Sequence, residues 1–87
     1  LSSLLIGCVA PYPPYEEYTL ARAAVRAAQE TDSARFSPGY WTKADENYRQ
    51  GQRAWKEGDF GPAKEHFKNA LEFAEKAENA TRLKKFQ

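Results

Sequence analysis

The feature that most narrows the fold is a pair of apolar stripes on either side of Gly58-Asp59, each with helical spacing. Upstream, Trp41, Ala44, Tyr48, Gly51 and Trp55 recur at steps of three and four. Downstream, Ala63, Phe67, Ala70, Ala74, Ala77 and Thr81 do the same. Each stripe gathers on one helix face and must be covered, and a Gly-Asp turn between them brings the two faces together. The stretch from Ala44 to Ala77 therefore reads as two long helices packed antiparallel.

What fills the seam is unusual. Apolar residues make up 41% of the chain, yet beyond Cys8 the only aliphatic side chains larger than alanine are Val9, Leu20, Val25, Leu71 and Leu83. The core must come from alanine and aromatic rings. Alanine seams allow close approach but bury little area each, so the stability margin is expected to be thin, partly offset by alanine's helix propensity. Such a domain gains from docking to a partner or from self-association.

A single helical domain is as much as 87 residues allow. The net charge is +1, with acids and bases mixed along each helix, which gives no field to gather nucleic acid or an anionic membrane. One cysteine excludes an internal disulfide.

That cysteine carries the clearest address. Leu1 to Gly7 is a short apolar and small-residue run, too short to span a bilayer. Leu5, Ile6, Gly7 and Cys8 resemble the lipobox of a bacterial lipoprotein signal peptide, in which a narrow residue before the cysteine admits the peptidase. The resemblance implies a diacylglycerol on the Cys8 thiol, with the basic segment of the signal expected upstream of Leu1. Several acyl chains, at ~0.8 kcal/mol per buried CH₂, make an effectively permanent anchor. Val9 rather than aspartate after the cysteine points, by resemblance to enteric sorting rules, to the outer membrane. The alternative reading makes Cys8 a small hydrophobe at a ragged terminus.

Pro11, Pro13 and Pro14 favour an extended tether, after which Tyr15 and Tyr18 are expected to open a helix and pack on its neighbours. Pro14 suits the first helical position, and Glu16 and Glu17 suit the positive end of the dipole. The first stripe is Tyr18, Ala21, Val25 and Ala28, with Arg22 and Arg26 as a solvated pair on another face. Thr31, Asp32 and Ser33 break the helix. Ser37 then serves as an N-cap with Pro38 behind it, and Phe36 can staple onto the new helix. The second helix runs to about Lys56, and Asp59 or Gly61 caps a third of about 23 residues. Arg82, Lys84 and Lys85 complement its C-terminal dipole. The division is thus a residual signal segment and lipobox over 1–8, a tether over 9–14, and a three-helix domain over 15–87.

Two resemblances follow from these residues. Tyr48, Gly51, Gly58-Asp59-Phe60, Ala63, Phe67, Ala70 and Leu71 resemble one tetratricopeptide repeat, over about 34 residues. Gln50 departs from the pattern where a large apolar residue is usual, as does Glu75 in place of the closing proline. A lone repeat cannot bury its own faces, so the first helix must supply the missing surface. The lipobox cysteine, proline tether, alanine-rich helix, Ala34-to-Pro38 restart and Gly58-Asp59-Phe60 turn together resemble an uncharacterised family of small helical lipoproteins of Gram-negative envelopes. Some relatives carry an added peptidoglycan-binding domain of the OmpA type. The resemblance implies a fold and an address, and no catalytic or ligand-binding residues.

Groups able to do chemistry are sparse. Acyl transfer needs a nucleophile, a base and an orienting group, whereas Cys8 and His66, the only members of their types, lie in segments with opposite roles. His66 sits one step off a stripe and reads as solvated or half-buried. Glu65, His66 and Glu72 lack the paired spacing of a metal site, and Glu72, Glu75 and Glu78 alternate with lysines as a solvated face. The expected protein is all-α, a three-helix antiparallel bundle, non-catalytic, without cofactor or metal. Its expected role is a lipid-anchored periplasmic adaptor that binds an envelope protein or itself, with Tyr40, Trp41, Trp55 and Phe73 as candidate contacts. The alternatives are a fixed accessory subunit of an envelope assembly and a peptidoglycan-binding module using Tyr12, Tyr15 and Trp41.

Overall fold

The computed structural model of the chain describes residues 12–86. They form four helices: α1 (Tyr15–Glu30), α2 (Ser33–Phe36), α3 (Pro38–Lys56) and α4 (Phe60–Lys85). No strand occurs among the described residues, so the chain is all-α. The sequence predicts three helices. The fourth, α2, is a single four-residue turn lodged in the expected break. The lipobox residues Leu5, Ile6, Gly7 and Cys8, and the first half of the tether, 9–11, lie outside the described residues.

The long helices begin and end close to where local chemistry directs. α1 opens after Pro14, with Glu16 and Glu17 in its first turn, and Pro14 itself is buried. It closes in an unusual way: Asp32 takes the left-handed region at φ 68°, which aspartate tolerates better than most side chains. The Asp32 N–H reaches Gln29 O, while the hydroxyl of Thr31 donates to Ala28 O at 3.0 Å. A side chain thereby satisfies a last-turn carbonyl. α3 ends instead in a Schellman motif, with Gly58 at φ 79°, the Gly58 N–H on Trp55 O and the Asp59 N–H on Ala54 O.

α4 is the longest helix, 26 residues against the expected 23 or so, and packs along both α3 and α1, which approach one another less closely. All six of its stripe residues, Ala63, Phe67, Ala70, Ala74, Ala77 and Thr81, are buried. α1 buries Ala21, Val25 and Ala28 as expected, and Ala24 besides. On α3 the buried line is Ala44, Gly51 and Ala54, and the larger Trp41, Tyr48 and Trp55 lie half-buried along its flanks. Small residues thus let the backbones approach while rings seal the edges.

At Gly51 the approach is closest. A Cβ there would lie 2.7 to 3.0 Å from three atoms of the Phe67 ring, which is itself fully buried. Phe67 is also enclosed by Tyr18 (5.4 Å between ring centroids), Tyr48 (5.9 Å) and Trp55 (6.2 Å). Tyr15 stands edge-on to Trp55 at 5.2 Å and Phe60 does so at 5.9 Å. As the spacing predicts, Tyr15 and Tyr18 open α1 and pack on neighbouring rings.

The opposite end is held by hydroxyls. Ser33, Ser37 and Thr81 are buried, and Ser37 makes no capping bond to α3 although it occupies the N-cap position. Its hydroxyl is used elsewhere. Thr31 gives its proton to Ala28 O and Thr81 gives its own to Ser33, so one direction of bonding is left for the rest. Ser37 donates to Thr81 (2.9 Å), Thr81 to Ser33 (3.0 Å) and Ser33 to Thr31 (3.0 Å). This corrects the expectation of Ser37 as a side-chain cap: the hydroxyl bonds across 44 positions instead of to the next turn. Beside it, Lys84 donates to the Phe36 carbonyl, and the Phe36 ring lies under the Arg35 guanidinium (5.1 Å) and the Lys85 ammonium (5.4 Å).

Candidate functional site

The four sequence-derived contact residues do not form one patch. Trp55 belongs to the aromatic end, where it lines a cleft of about 300 Å³ with Tyr18, Gln52, Lys56 and Phe67. Trp41 and Phe73 pack against the other half of the core, around Ala44, Ala74 and Ala77. Phe73 is flanked by the ammonium groups of Lys43 (5.4 Å) and Lys76 (5.6 Å). Tyr40 is the exposed member and borders a shallow groove with Ser37, Pro38, Gly39, Lys43, Ala80 and Lys84. Tyr15 and Trp41 are likewise far apart, because Tyr15 abuts Trp55 and Trp55 lies 14 residues from Trp41 along α3, about 21 Å at 1.5 Å per residue.

His66 is half-buried, as its offset from the stripe predicts, and has a partner. Its Nδ1–H donates to Asn47 Oδ1 at 3.2 Å, while Asn47 Nδ2 donates to Lys43 O at 2.9 Å, so the amide orientation and the ring tautomer fix one another. The pair ties α3 to α4. Glu65 and Glu72 are drawn into helical ion pairs with Lys68 (3.9 Å) and Lys76 (3.3 Å), in keeping with a solvated face. Among the described residues no group of His, Cys, Asp and Glu is placed to hold a metal ion.

The basic C-terminal turn is more specific than a response to the dipole. Arg82 pairs with Glu78 at 2.6 Å, whereas Lys84 and Lys85 clasp Phe36.

Sequence reasoning missed the groove between α1 and α3. Arg22, Arg26 and Gln29 lie on one face of α1, and Asp45, Arg49 and Gln52 repeat that spacing on α3. These six line a cleft of about 290 Å³ whose floor is Val25 and Tyr48. Arg49 Nε pairs with Asp45 Oδ2 at 3.0 Å. Neither Arg22 nor Arg26 has an ion-pair partner among the described residues. Burial raises the Tyr48 phenol above its ordinary pKa, helped by the Tyr18 phenol and opposed by the charges of Arg22 and Arg26, so both guanidiniums act on the groove floor. The signal available in the sequence was the matched spacing of the two polar stripes, which is visible only once the helices are paired.

Large exposed apolar side chains complete the surface: Tyr12, Tyr15, Leu20, Tyr40, Leu83 and Phe86. No described helix is long and apolar enough to cross a membrane. Comparison with curated proteins and with solved structures gives no match. The family comparison does, and over residues 16–87, which take in all of α2, α3 and α4 and nearly all of α1, the chain belongs to the family described as DUF4398, a domain of unknown function.

Proposed function

We propose that the chain is a non-catalytic adaptor of the bacterial cell envelope, held by a lipid on Cys8 at the periplasmic side of the outer membrane and engaging a protein partner. The observation that carries the adaptor reading is the exposure of large apolar side chains on a fold whose own seams are filled by alanine. Tyr15 is 65% exposed, Leu83 68% and Phe86 88%, on a fold with few aliphatic residues to spare. Covering them stabilises the complex at about 25 cal/mol per Å² of apolar surface removed from water. The address rests on Leu5-Ile6-Gly7-Cys8 and on Val9 after it.

The shape proposed for this adaptor is a three-helix antiparallel bundle built on a hairpin of tetratricopeptide-repeat type. Support comes from Gly51 against Phe67 and from the Schellman turn at Gly58, a small residue at a helix contact and a tight reversal between two helices. Tyr18 of α1 touches Tyr48 and Trp55 of α3 as well as Phe67 of α4, supplying the surface a lone hairpin lacks.

Cross-linking in intact cells followed by identification of adducts tests the adaptor. A discrete adduct lost on replacing Leu83 and Phe86 with serine at one end of the bundle, or Tyr15 with serine at the other, supports it, and a pattern equal to that of an unrelated anchored protein defeats it. Mass spectrometry of the native N-terminus decides the anchor, since an unmodified Cys8 removes the localisation. The second reading, a fixed accessory subunit, is favoured by the alanine-filled core. It predicts that the fragment from Val9 onward unfolds near or below growth temperature, whereas a free adaptor unfolds cooperatively well above it.

A further inference from the structure

We propose that the groove between α1 and α3 binds an acidic peptide segment of a protein partner, whose carboxylates pair with Arg22 and Arg26. The inference rests on the adaptor reading and adds where the partner sits and what it carries.

Arg22 and Arg26 are four residues apart on one helix face, an arrangement in which like charges repel. No carboxylate among the described residues relieves them, although Glu16, Glu17 and Glu30 share their helix. Across the groove stands a third guanidinium, Arg49, already paired with Asp45. The site therefore has two free guanidiniums, whose planar forks match a carboxylate bidentately. Val25 and Tyr48 give the cleft a partly apolar floor on which such bonds are better shielded from water than on an open helix face.

The remaining wall residues choose among anions. Gln29 and Gln52 each carry a donor and an acceptor, the complement of a peptide backbone amide. Asp45 is taken up by Arg49, so the charge left to bind is that of Arg22 and Arg26, two separate forks one helical turn apart that suit single carboxylates spaced along a chain. A bilayer surface reaches the rim of an interhelical cleft and not its floor. With a net charge of only +1, attraction is local to the groove instead of spread over the whole molecule.

The test is to pan a random heptapeptide library against the full chain and against its R22Q/R26Q variant. The full chain is expected to enrich peptides with two or more Asp or Glu. The affinity of an enriched peptide, read by fluorescence anisotropy, should weaken roughly tenfold or more in the variant, and equally when its own acids become amides. R53Q, which removes an exposed guanidinium on α3 outside the groove, should bind as the parent does. Unchanged helicity and unfolding midpoint separate loss of binding from loss of fold. Should R22Q/R26Q not fold, R26K reports instead, since it keeps the charge and loses the fork, and a severalfold loss is expected.

Enrichment indifferent to acidity, or acidic peptides that bind R22Q/R26Q as well as the parent, overturns the groove and leaves the adaptor standing. Inorganic phosphate or anionic vesicles bound as tightly as the peptide, through the same arginines, also overturn it. No enrichment in panning overturns the groove by itself, and if no cross-linked adduct is found either, the adaptor reading falls separately.

Discussion

The two ends of the molecule are held together by different physics. At one end six rings, Tyr15, Tyr18, Tyr48, Trp55, Phe60 and Phe67, form one packed cluster, in which Gly51 lets the Phe67 ring come close against α3. At the other, four hydroxyls pass a chain of hydrogen bonds from α3 through α4 and α2 to the last turn of α1. Ring packing is non-directional and tolerates small adjustments, so its parts are read as a periodic stripe. A buried hydroxyl is satisfied or costly, so its partner must be placed within tenths of an ångström. No buried side-chain polar atom among the described residues lacks a partner.

The comparison predicts that the largest loss follows damage to the aromatic end. Phe67→Ala removes the ring that Tyr18, Tyr48 and Trp55 enclose and is expected to cost about 3–5 kcal/mol, enough to abolish cooperative unfolding in a domain of this size. Phe67→Leu keeps an apolar side chain there and should retain a measurable, lower transition. Equal midpoints for Phe67→Ala and the parent would mean that the rings do not organise that end.

At the hydroxyl end the expected loss is smaller and its pattern differs. Thr81→Val keeps the shape but leaves the Ser37 proton without an acceptor and Ser33 without a donor, at a cost of about 1–3 kcal/mol. Adding Ser33→Ala and Ser37→Ala should recover much of that loss, because no unpaired polar group then remains. A double-mutant cycle sharpens the point. If Ser37 acts through Thr81, Ser37→Ala costs much less in the Thr81→Val background than alone; if it acted as a helix cap, the two costs would add.

Much of this was legible in the sequence, and the boundary follows the same division. The α4 stripe, the Gly58 turn and the limits of α3 obey rules of local spacing, and each lies where those rules put it. Ser37 obeyed the local rule only in position: a partner 44 residues away is invisible to a pattern that looks three residues ahead. α2 was hidden because Thr31, Asp32 and Ser33 read as breakers, although they form a hydrogen-bonded link between helices. Arg22 and Arg26 look solvated on α1 taken alone, and become walls of a groove only when α3 lies alongside. The rings of the contact candidates Trp41 and Phe73 suit an interface by size, but packing on the core uses much of their surface.

Gly51→Ala gives a finer test of how tight the aromatic end is. Alanine raises helix propensity by about 1 kcal/mol, while forcing the new methyl against a caged ring costs about 1–3 kcal/mol, so a modest net destabilisation is expected. Combining it with Phe67→Leu should make Gly51→Ala less harmful, because the smaller side chain yields space. A stabilised single variant would show that the ring shifts freely.

The smallest expected effect falls on Tyr48, which packs against both halves of the core and so belongs to neither end alone. Burial first, then the neighbouring Tyr18 phenol, raises its pKa above the ordinary 10.0, while Arg22 and Arg26 pull it back. A group whose folded pKa exceeds its unfolded value contributes stability fully present below the unfolded value and lost as pH rises through the folded one. The contribution of Tyr48 is therefore constant at neutral pH and fades above about 10. Thermal midpoints of the parent and Tyr48→Phe, taken from neutral pH into that alkaline range, should run parallel at first and then converge or cross as only the parent loses this term. R22Q/R26Q should deepen the parent's alkaline loss, since removing the two charges takes away what favours the phenolate. Curves that stay parallel throughout would place the Tyr48 hydroxyl in water, and with it the floor of the groove between α1 and α3.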